Sequence, residues 1–185
     1  DAYEPEVRAD ALERRGAAGG DADARYDWLV EAADIHSRET GQLEQAVQLY
    51  RDATEVMAQK PDAWFGLADV TYSRQGAKAG YQALLEGLAA LKHDQASGVE
   101  THRRLARLAQ EAQDLEAEVV HLDQLVDFGV ANQAEATRLL DVLTELERLP
   151  QLCARLESWA LSGDLLEPEV LYMRSAEVRE KLGET

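Results

Sequence analysis

The segment KPDAWFGLADVTYSRQG, residues 60–76, decides the fold. Pro61 suits the first turn of a helix, where a missing backbone N–H costs nothing. A glycine at the end of the segment permits a turn into a further helix. Between them, apolar and small side chains recur at intervals that place them on one helix face: Trp64, Leu67, Ala68 and Thr71. The segment therefore predicts the first helix of a helical hairpin.

The chain repeats this arrangement at a constant distance. In ETGQLEQAVQLYRDATEV, residues 39–56, small residues flank a tyrosine on one helix face, which allows a neighbouring helix to approach closely. The same kind of stripe recurs 34 residues later. The first stripe is Ala46, Tyr50 and Ala53, and the second is Gly80, Leu84 and Gly87. A fixed stride of this length indicates a stack of repeated hairpins that bury one another's apolar faces.

The spacing, the tryptophan, the leucine–small pair and the glycine turn resemble the tetratricopeptide repeat family, from about residue 25 to the end of the chain. The resemblance implies an all-α fold, a tetratricopeptide-like α-solenoid in which helical hairpins form a right-handed superhelix. Residues 1–24 are predicted to form an N-terminal helix, from about Pro5 to Arg15, and a glycine-rich joint. The remaining chain is predicted to form four repeats and a first helix of a further or capping repeat: 27–60, 61–94, 99–132, 133–166 and 167–185, with 95–98 as a short insertion.

Two bulky residues depart from the pattern in the later repeats. Glu118 stands where a small residue is expected, and Trp159 stands in the position that Ala53 and Gly87 hold earlier. The phase of the third and fourth repeats is therefore open by one or two residues. Because the chain opens on Asp1 rather than methionine and closes on a first helix, we expect a fragment of a longer array.

Charge limits the classes of partner. The chain of 185 residues has 36 acidic and 19 basic side chains and a formal net charge of −17. Nucleic acid is excluded as a partner because its binding rests on lysine and arginine, whereas a cationic partner would be attracted. No apolar run reaches the roughly 18 residues that span a bilayer, so no membrane insertion is expected. A single cysteine fits both cytoplasm and periplasm; the compartment stays open, with the periplasm slightly favoured.

Residues that carry chemistry are scarce. The four histidines never lie four residues apart, so no pair can hold a metal on one helix face: they are His36, His93, His102 and His121. Cys153 is expected to be a small core residue. We predict no catalytic residue, no metal, no cofactor and no enzyme activity.

The resemblance implies that the first helices of successive repeats line a concave face that binds peptides or partner helices. The residues predicted to bind a partner there are Phe65, Asp69, Tyr72, Arg103, Arg107 and Asp141, with Glu31, Ile35, Asp62, Glu100, Gln110 and Thr137 on the same face. Ion pairing of the two arginines with acidic neighbours, and burial of Phe65 between hairpins, are the alternatives. The lysines and asparagines that clamp a carboxylate in chaperone-binding relatives are missing here. Structural roles are predicted for Trp64, Leu67, Ala46, Tyr50, Ala53, Gly80 and Gly87.

These observations favour a non-catalytic scaffold that binds a protein or peptide within a larger assembly. The alternative is a periplasmic segment of an exopolysaccharide secretion system, Pel-type as first choice, that recruits modifying enzymes or guides a cationic polysaccharide to the outer-membrane pore. A regulatory domain joined to an enzyme would look the same at this level. The sequence leaves self-association open.

Overall fold

A computed structural model describes residues 4–91, 95–162 and 167–183, and over these ranges the chain contains helices and no strand. The chain divides into two compact units, Asp1–Ala112 and Gln113–Thr185. The first unit holds α1 (Pro5–Ala17), α2 (Ala22–Ile35), a π-helical turn (His36–Thr40), α3 (Leu43–Val56), α4 (Pro61–Gln75), α5 (Ala77–Leu91) and α6 (Gln95–Glu111). The second unit holds α7 (Leu115–Asp127), α8 (Gln133–Glu145), α9 (Leu149–Ser162) and α10 (Pro168–Leu182).

Successive helices pack against one another within each unit, as expected for stacked hairpins. In the first unit α2 also contacts α4, so that neighbouring first helices touch. The unit boundary falls between α6 and α7, inside the segment 99–132 that was predicted as one repeat. Residues 95–98, predicted as an insertion, form the first turn of α6.

Small residues let two aromatic rings lie against neighbouring helices of the first unit. A Cβ placed on Gly87 would lie 2.5 Å from Cδ2 of Trp64, and one on Gly66 would lie 2.3 Å from the ring of Tyr50. Neither position tolerates a side chain unless the ring moves. Tyr50 Oη also donates a hydrogen bond to Asp34 Oδ1 at 3.0 Å. Burial, followed by the charge of Asp34, raises the pKa of Tyr50.

A left-handed backbone residue follows the first helix of each hairpin. Gly41 (φ 69°) and Gly76 (φ 87°) supply it in the first unit. Gln113 (φ 58°) and Glu147 (φ 54°) supply it later, although their side chains disfavour this conformation. A positive φ thus persists at these turns where the glycine that marks them in the sequence is missing.

The second unit accommodates the two residues that break the small-residue pattern. Trp159 is buried in it, with 4% of its surface exposed. Glu118 is also buried, and Arg138 of α8 binds its carboxylate through two hydrogen bonds, from Nε at 2.7 Å and Nη2 at 2.8 Å. The favourable pairing with Arg138 compensates for the loss of water around the carboxylate.

The start of α4 is completed by a side chain of α2. Lys60 precedes the helix and makes no side-chain cap. Instead, the backbone N–H of Ala63 donates to Tyr26 Oη at 3.0 Å, which satisfies one of the amides that a helix leaves unpaired at its start. The Lys60 ammonium lies 4.6 Å from the centre of the Tyr26 ring.

Replacing Tyr26 with phenylalanine should lower the free energy of unfolding by about 1–2 kcal/mol, because the buried amide of Ala63 loses its acceptor while the ring stays. Burial raises the pKa of Tyr26 from 10.0 to about 12. The wild type should therefore lose stability as the pH rises from about 10 towards 12, since unfolding releases a more acidic phenol. Urea unfolding at pH 7 and pH 11 measures both effects, and equal pH dependence of the two proteins would contradict the assignment.

Candidate interaction surface

Helices α4 and α6 form a mixed aromatic and charged surface in the first unit. The guanidinium of Arg104 stacks on the half-buried ring of Phe65, with its carbon 4.2 Å from the ring centre. The same guanidinium contacts Glu100 Oε1 at 2.9 Å and Asp69 Oδ2 at 3.4 Å. One arginine therefore joins the two helices through a cation–π contact and one ion pair, and it forms a second ion pair within α6.

Tyr72 continues this surface along α4. Its side chain is 42% exposed. A hydrogen bond to Glu111 raises the pKa of the Tyr72 hydroxyl. Glu111 in turn pairs with Arg107 at 3.7 Å within α6. We call the surface formed by five residues the α4–α6 face: Phe65, Asp69, Tyr72, Arg104 and Arg107. Its aromatic and cationic side chains alternate with carboxylates, and the side chains of Tyr72 and Arg107 are exposed.

The predicted partner-binding residues are distributed over both units. Phe65, Asp69 and Tyr72 lie on α4, and Arg103 and Arg107 lie on α6. Arg103 is half-buried, and Arg107 is exposed and ion-paired within its helix. Asp141 is exposed on α8 of the second unit, where it pairs with Arg174 at 3.7 Å.

The other predicted positions of the face differ in exposure. Glu31, Asp62 and Gln110 are exposed in the first unit, and Thr137 is exposed in the second. Ile35 was wrongly predicted for the face: it is 2% exposed and packs in the core of the first unit. The π-helical turn that begins at the next residue was not foreseen from the sequence.

Arg104 is the residue whose role sequence reasoning missed. Arg103 and Arg107 were predicted for the face, yet Arg104 makes the contacts that join α4 and α6. Glu100 stands four residues before it on the same helix, which is a spacing typical of helical ion pairs. That signal could have selected Arg104 over Arg103.

The three histidines within the described residues are buried. His36 is buried, with Nε2 at 2.7 Å from Glu13 Oε1 and Nδ1 at 3.2 Å from Thr40 Oγ1. Burial lowers the pKa of His102. His121 is buried as well, and His93 lies outside the described residues.

Two further properties of the described residues bear on function. No group of three or more histidine, cysteine, aspartate or glutamate side chains is arranged to hold a metal ion in this part of the chain. Over the same ranges, no helix combines the length and the apolar character that crossing a membrane requires.

The chain matches no protein-family model and no curated protein sequence. The solved structures that it is similar to include the following two. MamA from AMB-1, a tetratricopeptide-like helical solenoid, is 18% identical with a TM-score of 0.52, and the match covers 88% of this chain and 85% of that one. BtubC from P. vanneervenii is 15% identical with a TM-score of 0.53, and the match covers 97% of this chain and 73% of that one. Identities this low show the fold alone, and that fold is the all-α, tetratricopeptide-like α-solenoid that the family resemblance implied.

Proposed function

We propose that this protein is a non-catalytic scaffold that binds a protein partner on the α4–α6 face. The observation that carries the proposal is the stack of Arg104 on Phe65 beside the exposed Tyr72. Tyrosine and arginine are the residue types that contribute most often to binding energy at protein interfaces. Their placement on two adjoining helices gives a partner a preformed surface, which reduces the entropy lost on binding.

The charges of this face favour a protein partner over a simple polyion. Asp69 and Glu100 lie beside Arg104, and Glu111 lies beside Arg107, so both signs alternate over a short distance. Alternating charges around aromatic groups select a complementary pattern and a fixed orientation. The cationic polysaccharide considered above has only the net charge of −17 in its favour, and we do not advance it as a second function.

The proposal is tested by placing a photo-crosslinking amino acid at Tyr72 and identifying the captured protein from the source organism. The affinity of that purified protein is then measured for the wild type and for variants. We expect Phe65→Ala and the charge reversal of Arg107 to weaken binding by at least about tenfold each, the effect of losing a central contact.

Matched controls lie on α5, outside the face. Lys78→Glu reverses an exposed charge and Leu85→Ala shortens an exposed apolar side chain, and we expect neither to change the affinity beyond about twofold. A partner that binds all face variants as tightly as the controls would refute the assignment of this surface.

A further inference from the structure

Among the described residues, none covers an apolar groove between α9 and α10 of the second unit. Its volume is about 350 Å³, and its lining consists of Glu157, Leu161, Tyr172, Ser175, Ala176 and Arg179. Leu161 is 79% exposed and Tyr172 is 49% exposed. Exposed apolar side chains grouped beside a groove, rather than scattered singly, indicate a binding surface.

The polar side chains that line this groove form hydrogen bonds with one another and with Cys153. Glu157 Oε1 accepts hydrogen bonds from Arg179 Nε at 2.7 Å, from Ser175 Oγ at 3.0 Å and from Cys153 Sγ at 3.2 Å. These bonds lower the pKa of Glu157. Because Glu157 and Arg179 neutralise each other, a ligand gains little from them by charge, and the apolar lining residues are left to bind it.

An exposed stripe of α10 borders the groove. It consists of Glu169, Met173 and Glu180, and Met173 is 64% exposed. The two carboxylates have no ion pair within the described residues, and they lie eleven positions apart on the helix, a distance of about 16 Å. A partner that follows the groove therefore meets an apolar surface between two negative charges.

The second unit has few cations of its own left to neutralise that stripe. Residues 113–185 contain sixteen acidic and six basic side chains. All five arginines of the unit already pair with carboxylates in it: Arg138 with Glu118, Arg148 with Glu116, Arg155 with Asp123 and Asp127, Arg174 with Asp141, and Arg179 with Glu157. Few positive charges of the unit are therefore left to complement Glu169 and Glu180, and a cationic partner would complement them.

We propose that the groove between α9 and α10 binds a basic amphipathic helix of a partner protein. The lining residues of α10 span two helical turns at intervals of three and four, and an amphipathic helix presents its apolar side chains at those same intervals. Its apolar face contacts Leu161, Tyr172 and Met173, and its lysines or arginines meet Glu169 and Glu180. This surface is independent of the α4–α6 face.

Two synthetic helical peptides with the same leucine face test the proposal. One carries lysines eleven residues apart and the other carries glutamates at those positions, and binding to the full chain is followed by fluorescence anisotropy. We expect the lysine peptide to bind, with an affinity that falls as salt rises, and the glutamate peptide not to bind. The double variant L161S/Y172S should weaken the lysine peptide by at least about tenfold.

The matched control is Val120→Ser, which changes a 53% exposed apolar side chain on α7 of the same unit. It should leave the affinity unchanged, and circular dichroism should show the same helix content for all variants. Equal affinity of the lysine peptide for L161S/Y172S and the wild type would mean attraction to the acidic surface in general and would overturn the site. Binding of the glutamate peptide, or binding of neither peptide, would overturn the basic helix as the partner. Phe65→Ala should not affect this binding.

Discussion

Trp64→Ala should lower the free energy of unfolding by about 3–4 kcal/mol. The indole packs against both apolar clusters of the first unit, one that extends from α1 to α5 and one that joins α4, α5 and α6. Its Nε1 also donates to the carbonyl of Ala58 at 2.8 Å. The expected loss of stability lies near the lower end of the range for replacing a core tryptophan with alanine, because the Trp64 side chain is only half-buried. Urea unfolding followed by far-ultraviolet circular dichroism measures the change.

Gly87 provides the sharper version of this test. Gly87→Ala alone should destabilise the protein by about 1–3 kcal/mol, because its Cβ would lie 2.5 Å from the Trp64 ring. In the Trp64→Ala background the same change meets no ring and should raise stability by up to about 1 kcal/mol, the helix propensity of alanine over glycine. The effect of Gly87→Ala on the free energy of unfolding therefore changes sign when Trp64 is removed.

The control for this pair is Leu85→Ala on α5, whose side chain is 36% exposed. It should cost less than about 1 kcal/mol, as expected for a surface position. If Gly87→Ala had the same effect with and without the tryptophan, the two residues would not be in direct contact, and the packing of α4 on α5 would be wrong.

Arg138→Met should destabilise the second unit by about 3 kcal/mol, because it leaves the Glu118 carboxylate buried without its guanidinium. The side chain of Glu118 is 2% exposed, so water cannot replace the lost partner without rearrangement. The double variant Glu118→Met with Arg138→Met should be within about 1 kcal/mol of the wild type, since it removes both charges together. Chemical unfolding of the wild type, both single variants and the double variant measures the interaction energy.

An exposed ion pair of the same unit serves as control. Arg174 and Asp141 lie 3.7 Å apart with side chains 36% and 50% exposed. Arg174→Met should therefore cost no more than about 1 kcal/mol. If Arg138→Met cost as little as this, Glu118 would have to be accessible to water in solution, contrary to its burial here.

The regular part of the fold could be predicted from the sequence because it rests on local spacing. Pro61 begins α4, and the helix ends before Gly76, as the opening segment indicates. The later hairpins were harder to place because their markers are replaced. Glu118 occupies a position where the repeat pattern has a small residue. Arg138, which neutralises its charge, lies 20 residues further along the chain. Such compensation depends on which helices meet, which periodicity does not show.

The candidate surface was predictable only in part. Helical spacing placed Phe65, Asp69 and Tyr72 on one side of α4, because positions three and four apart share a face. It did not show that Arg104 would lie over Phe65, since the rotation of α6 about its own axis depends on packing between helices. The same limit explains Ile35, whose position within its repeat suggested exposure although the core of the first unit covers it.

The hydrogen bond from Ala63 to Tyr26 restricts how the array can grow by gene duplication. The two residues are 37 positions apart, so the bond crosses the junction between residues 60 and 61. A tandem copy of residues 27–60 would place Lys60 opposite the Ala63 amide, where a second donor cannot replace the phenol oxygen. A tandem copy of residues 26–59 would include Tyr26 and would therefore keep a phenol oxygen opposite the Ala63 amide. Successful insertions in this array should therefore begin one residue earlier than its helix pattern suggests.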